Sequence, residues 1–354
     1  MIDIHAHVVL ESTLGAAGPF GPELIDGDDQ AGRLPCFRVG GYTLTGVRYR
    51  NSPFMDPDLR IERMDALGIE LQVLSPNPIT YFSHIDPEWA VAFCRRHNDE
   101  LAALVARHPG RLAGFAQLPL QDPKAAADEL RRAVGELGLL AGYVGTDYGI
   151  ALDAPELDIV YATCVELDVP LFVHPAPDGI DAPRRDARLE RFDGDLWLGF
   201  LYEETLAVST FVLGGVLDRH PALDICVSHG GGATAWLAER LSHAARTRPW
   251  AAAELRDADA VHERLARFWW DAHVGGPRAL ARDRAAPLRA GERLRERGAD
   301  PRAHRERHAG DDANRAARSA RGPADAGQRR DPRLLGASVP PQAGRDPRPA
   351  HPPQ

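Results

Sequence analysis

Four histidines stand where strands would end. His5 and His7 lie two apart in Met1-Ile2-Asp3-Ile4-His5-Ala6-His7, so a strand there points both imidazoles to one face. His174 closes the apolar run Leu171-Phe172-Val173, and His229 follows Ile225-Cys226-Val227-Ser228 and precedes three glycines. Neutral imidazoles suit Zn²⁺, and three protein ligands with one open position is the catalytic arrangement. A single histidine at a strand end is more often a structural hydrogen-bonder. Four, at the ends of three strands read independently, predict a metal site. The remaining histidines of the folded part (His84, His97, His108, His220, His243, His262 and His273) fall mostly on helices or loops and are assigned to solvent or packing.

The elements that must position these rings alternate along the chain. Strand patterns occupy residues 1–7, 69–74, 112–118, 141–144, 170–173, 223–228 and 268–274. Helix patterns occupy 59–67, 87–107, 123–137, 155–167, 196–219 and 235–246, and residues 37–49 read as a hairpin. Several strands are apolar throughout, as expected of parallel strands covered by helices on one side and a packed interior on the other. The pattern predicts an α/β fold, seven strands of an eight-stranded (β/α)8 TIM barrel, whose active sites lie at the C-terminal ends of the strands. No glycine-rich phosphate loop follows the first strand, which removes support for a nucleotide fold.

The chain has 354 residues, 44% of them hydrophobic, and a formal net charge of −9. No apolar run approaches the ~20 residues of a membrane span, and no basic-then-apolar leader opens the sequence. Cys36, Cys94, Cys164 and Cys226 are far apart, with no CxxC spacing, so neither a disulfide framework nor a cysteine zinc site is indicated. A cytoplasmic location, with no membrane partner, is the expectation. Charge is uneven: residues 281–354 hold 17 arginines and 10 acids, whereas residues 1–280 hold 25 basic and 41 acidic side chains. Phe, Tyr, Trp and Ile are absent after Trp270. Residues 1–280 are expected to carry the fold, and 281–354 to form a low-complexity, disordered Arg/Ala/Pro-rich tail. Its interleaved acids argue against a nucleic-acid-binding arm.

The HxH strand, FVHP at 172–175, Tyr202-Glu203-Glu204-Thr205, GGVLDRHPALDICVSHGGG at 214–232 and RLSHAARTRP at 240–249 together resemble the amidohydrolase-related metal enzymes, in particular the aminocarboxymuconate-semialdehyde decarboxylases. The resemblance covers about residues 1–280. It implies that His5, His7 and His174 bind Zn²⁺ or another divalent metal, and that His229 acts as general base and then acid. It further implies that Arg48, Arg240 and Arg248 hold the carboxylates of a small-molecule substrate, Arg240 by reaching into a neighbouring subunit of a homodimer. The reaction implied is decarboxylation of a small unsaturated or aromatic carboxylate, in which hydroxide adds to the carbon chain and CO₂ leaves. A hydrolase or hydratase of the same fold is the alternative.

Two departures stand out. Ala176-Pro177-Asp178 follows FVHP where the decarboxylase has a tryptophan after the proline, so the pocket wall differs. The family's eighth strand, which ends in a GTD-like motif with a metal-binding Asp, has no counterpart after about residue 280, and Asp271 is the nearest substitute. One lysine (Lys124) against 41 arginines suggests a GC-rich coding sequence, and a frameshift near residue 280 accounts for the tail better than an evolved one. On this reading the barrel lacks its eighth strand, and the chain is either an enzyme with an impaired site or a truncated inactive member.

Overall fold

The computed structural model describes residues 1–28, 30–177, 179–181 and 186–273. The expectations about Asp178, the eighth strand, its Asp and residues 281–354 lie outside them. Within them the strands run β1 (Ile2–Val8), β2 (Glu23–Ile25), β3 (Cys36–Val39), β4 (Tyr42–Thr45), β5 (Leu71–Pro76), β6 (Leu112–Gly114), β7 (Ala116–Gln117), β8 (Gly142–Val144), β9 (Leu171–Val173), β10 (Ile225–Val227) and β11 (Trp269–Trp270). The helices are α1 (Pro57–Leu67), α2 (Pro87–Arg107), α3 (Pro123–Gly135), α4 (Asp158–Glu166), α5 (Phe200–Leu213), α6 (Val216–Arg219), α7 (Thr234–Thr247) and α8 (Ala260–Leu265).

Two parallel ladders, β1-β5-β6 and β7-β8-β9-β10-β11, make up the barrel wall. They share one chain segment, because Phe115 N donates to Leu74 O (2.9 Å) while Ala116 N donates to Ala141 O (2.8 Å). The wall therefore holds seven segments in sequence order, each at an expected place, in a (β/α) barrel. The hairpin read at 37–49 is β3–β4, and β2 adds to its free edge as a third antiparallel strand. This small sheet packs Phe37, Val39 and Tyr42 with Ile79, Phe82 and Phe93.

The core has two layers. Inside the barrel, Phe172 stacks against both Phe115 and Tyr143, with ring centroids 5.2 and 5.3 Å away. Outside, Val144, Val173 and Val227 meet Leu130, Val160, Val208 and Phe211 from the covering helices.

β1 departs from simple alternation. Ile2 and Ile4 pack with the interior cluster, whereas Ala6 and Val8, of the same parity, belong to the outer one. The register shifts between Asp3 and Ala6, a bulge that exchanges the two faces. Asp3 secures it: one carboxylate oxygen accepts the His5 N–H (3.0 Å) and the other accepts Gln72 Nε2 (2.7 Å). Both the isoleucines and the later histidines can thus face inward.

The helix read over 196–219 is interrupted. A π-turn at Asp195–Gly199 leads into α5, and Gly214–Gly215 separates α5 from α6. Gly215 has φ 73°, which breaks the helix, and Asp153 lies where a Cβ on Gly214 would stand. The 19 residues Asp195–Leu213 are long and apolar enough to cross a membrane, contrary to the sequence expectation. In the fold this helix lays Val208, Phe211 and Val212 against the barrel. α8 was not anticipated. Among the described residues, the strand read over 268–274 pairs with β10 through Trp269 and Trp270, and the Asp271 N–H donates to Val227 O (3.1 Å).

Candidate metal centre

The strand ends bring all four histidines together. Ring centroids are 5.1 Å apart for His5–His7, 5.0 Å for His5–His174, 4.9 Å for His5–His229, 4.7 Å for His7–His174 and 4.9 Å for His174–His229. His5, His174 and His229 offer donor atoms that all lie within 4.8 Å of one another. His7 sits beside His174 but outside that tightest group. His229, expected as the proton carrier, is therefore as close to the centre as the expected ligands.

Each ring is held through Nδ1. His7 Nδ1 lies 3.0 Å from both Pro76 O and Ser75 Oγ. His174 Nδ1 lies 2.7 Å from Pro175 O and 2.9 Å from the Tyr81 hydroxyl, which itself donates to the Tyr143 hydroxyl at 3.1 Å. His5 Nδ1 lies 2.5 Å from Asp271 Oδ2, and His229 Nδ1 lies 2.7 Å from Glu204 Oε1. That leaves Nε2 free of these contacts in all four. The Nε2 of His174, a residue 1% exposed, is buried without a hydrogen-bond partner among the described residues. A buried, unpaired nitrogen facing other imidazoles fits a cation, since such an atom is costly to leave unsatisfied.

The electrostatics agree with ligand duty. Burial, reinforced by neighbouring imidazoles, holds His7 and His174 well below the usual histidine range, so both are neutral at pH 7. The same causes push His229 down to about 4. Burial also opposes a proton on His5, but the Asp271 carboxylate outweighs it and raises that pKa. Neutral imidazole is the form that binds metal.

The segment after β10 is built for close approach. His229 has φ 45°, unusual for a residue with a side chain, and Gly230, Gly231 and Gly232 have φ 63°, 71° and 67°. A methyl on Gly231 would sit 1.9 Å from Trp270 Cζ3, and one on Gly232 would sit 2.1 Å from Leu201 O. The glycines let the His229 turn nest between α5 and β11. Phe200, at the start of α5, flanks His174 and His229 with centroids 5.6 and 5.7 Å away.

Several residues were missed. His273, assigned to solvent or packing, has its ring 4.9 Å from His5 and 5.5 Å from His229. It stands two residues beyond Asp271, the spacing that aligned His5 with His7. Glu204 had a signal in the buried stripe of α5, where it is in helical phase with Val208 and Phe211. Arg48, Arg240 and Arg248 are exposed, Arg240 within α7 and Arg248 at its C-cap, and none belongs to the histidine cluster.

Comparison with known proteins gives the site its context. A 2-amino-3-carboxymuconate-6-semialdehyde decarboxylase of Dictyostelium discoideum is 31% identical over 226 residues, which cover 64% of this chain and 61% of that protein. A gamma-resorcylate decarboxylase of Rhodococcus jostii is 34% identical over 201 residues, 52% of this chain and 59% of that protein. The matched region thus spans about three-fifths of these relatives. A dihydroxybenzoic acid decarboxylase from Polaromonas, solved with bound manganese and the inhibitor 2-nitroresorcinol, superposes with TM-score 0.60 and 27% identity over 81% of this chain and 82% of that one. The family pattern described as Amidohydrolase matches residues 2–286, and the chain belongs to the amidohydrolase family.

Proposed function

We propose that this protein is a metal-dependent decarboxylase, a carbon–carbon lyase acting on a small aromatic or unsaturated carboxylate. The observation that carries the reading is the convergence of four imidazoles, each fixed through Nδ1, at the C-terminal ends of β1, β9 and β10. The decarboxylase relatives and the manganese in the Polaromonas enzyme support it. His5, His7 and His174 would hold Zn²⁺ or another divalent ion. The chemistry such an ion supplies when bound is Lewis acidity and ionisation of water near neutral pH.

The chain's own groups do the rest. His229 is neutral at pH 7, so its Nε2 can take a proton and return it to the carbon that loses CO₂; the incoming proton replaces the departing carboxyl group. Phe200 covers the rings of His174 and His229 and limits water there. Arg48, Arg240 and Arg248 are the proposed partners of the substrate carboxylate, with Arg240, exposed on α7, serving a second copy in a homodimer. The four cysteines are all free, in keeping with a cytoplasmic enzyme.

The test is product analysis with manganese- or zinc-loaded protein and 2,6-dihydroxybenzoate or a carboxymuconate semialdehyde. Release of CO₂ that His229→Ala abolishes is the expected result. Incorporation of water without CO₂ would establish a hydratase or hydrolase instead.

A further inference from the structure

Two buried carboxylates lie directly behind the histidine cluster, and no step above assigns the pair a role. Glu204, on α5, is 0% exposed and Asp271, just after β11, is 6% exposed. Among the described residues neither pairs with an arginine or lysine; each pairs with one imidazole, Glu204 with His229 and Asp271 with His5. Both are also anchored from behind. Glu204 Oε1 accepts a short hydrogen bond from Ser228 Oγ, and Asp271 Oδ1 accepts the N–H groups of Gly230 (3.4 Å) and His273 (3.1 Å). With Oδ2 committed to His5, both Asp271 oxygens are engaged within the protein.

We infer that Glu204 and Asp271 are positioning residues: each accepts the Nδ1–H of one imidazole and so aims its Nε2 at the shared centre. This rests on the reading of the cluster as a metal site. Asp271 then serves behind a ligand, as an acceptor for His5, rather than as the substitute ligand the sequence suggested. Carboxylates of this kind raise ligand basicity and fix the tautomer. α5 and β11 thereby join β1 and β10 in building the site.

The experiment compares Glu204→Gln, Glu204→Ala and Asp271→Asn with the wild type. Zinc affinity is read by competition with a chromophoric chelator, and imidazole tautomers by ¹⁵N NMR of the metal-free protein. Asp271→Asn is expected to weaken zinc binding about 10-fold, because Asp271 backs the ligand His5, and Glu204→Ala to release His229 from the Nδ1–H tautomer. Glu204→Gln, which keeps shape and an acceptor, is expected to retain the tautomer. A merely structural role would lower thermal stability without moving the tautomer. Asp271→Asn binding zinc within twofold of the wild type, or Glu204→Ala leaving the His229 tautomer unchanged, overturns the inference. If the wild type itself binds no zinc, the functional reading fails, and the NMR comparison still decides this one.

Discussion

At the scale of the residue, His174 is the most constrained group of the site. Its Nδ1 is held by a backbone carbonyl and by a tyrosine hydroxyl, and its Nε2 has no hydrogen-bond partner among the described residues. His174→Ala is expected to abolish stoichiometric zinc binding while leaving the barrel folded, checked by metal analysis alongside circular dichroism. Tyr81→Phe removes one of two Nδ1 contacts and should weaken zinc binding by less than about tenfold, because the Pro175 carbonyl still fixes the ring. His174 and His229 were legible in the sequence because each follows an unambiguous apolar run, and His5 and His7 because their two-residue spacing puts both on one face of a strand. Glu204 was quoted there only as part of a likeness, since an acid beside another acid reads as a solvated pair until the helix phase is followed. His273 escaped notice although the two-residue spacing from Asp271 repeats the argument made for His5 and His7.

At the scale of the element, β1 and the turn after β10 decide whether the rings meet. The β1 bulge could not be read from alternation, which puts Ile2, Ile4, Ala6 and Val8 on one face throughout. What reverses the faces is a local hydrogen bond from the His5 N–H to Asp3. Asp3→Ala should cost about 1–3 kcal/mol by leaving that N–H and the Gln72 amide without their acceptor. It should also lower metal affinity, because the register governs both histidines; Asp3→Asn, which keeps an acceptor oxygen, should be milder. Urea unfolding with parallel zinc titration checks both. Gly231→Ala places a methyl inside the Trp270 ring and demands a side chain at φ 71°, so a loss of about 1–3 kcal/mol is expected in thermal or urea melts. If Gly231→Ala melts like the wild type, the close nesting of α5, the turn and β11 is wrong. The break of the long helix at Gly214–Gly215 was hidden for a related reason: the glycines were visible, but Asp153, which occupies the space beside them, is distant in sequence.

At the scale of the whole molecule, the order of seven parallel strands was readable because most are short, apolar and separated from the next by a helix. The joining of the two ladders through Phe115 was not, since it depends on which neighbour each amide meets. Burial of titratable groups gives the fold a pH dependence distant from the site. His97, on α2 and 2% exposed, is stacked near Phe93 and pushed by burial down to about 4. The unfolded chain takes up a proton near pH 6.5 that the folded chain refuses until about pH 4, so stability falls as pH drops through that window. The loss from this group approaches about 3 kcal/mol. Urea unfolding at pH 7 and pH 4.5 should show a smaller difference for His97→Leu than for the wild type, and equal differences would contradict the assignment.

The central claim is that one ion sits among the strand-end imidazoles. Diffraction from zinc-soaked crystals on both sides of the zinc absorption edge tests it most directly. The account predicts one anomalous peak per chain, bonded at about 2.0–2.1 Å to Nε2 of His5 and His174. Zinc content well below one per chain, or a peak elsewhere with these rings unmoved, would contradict it.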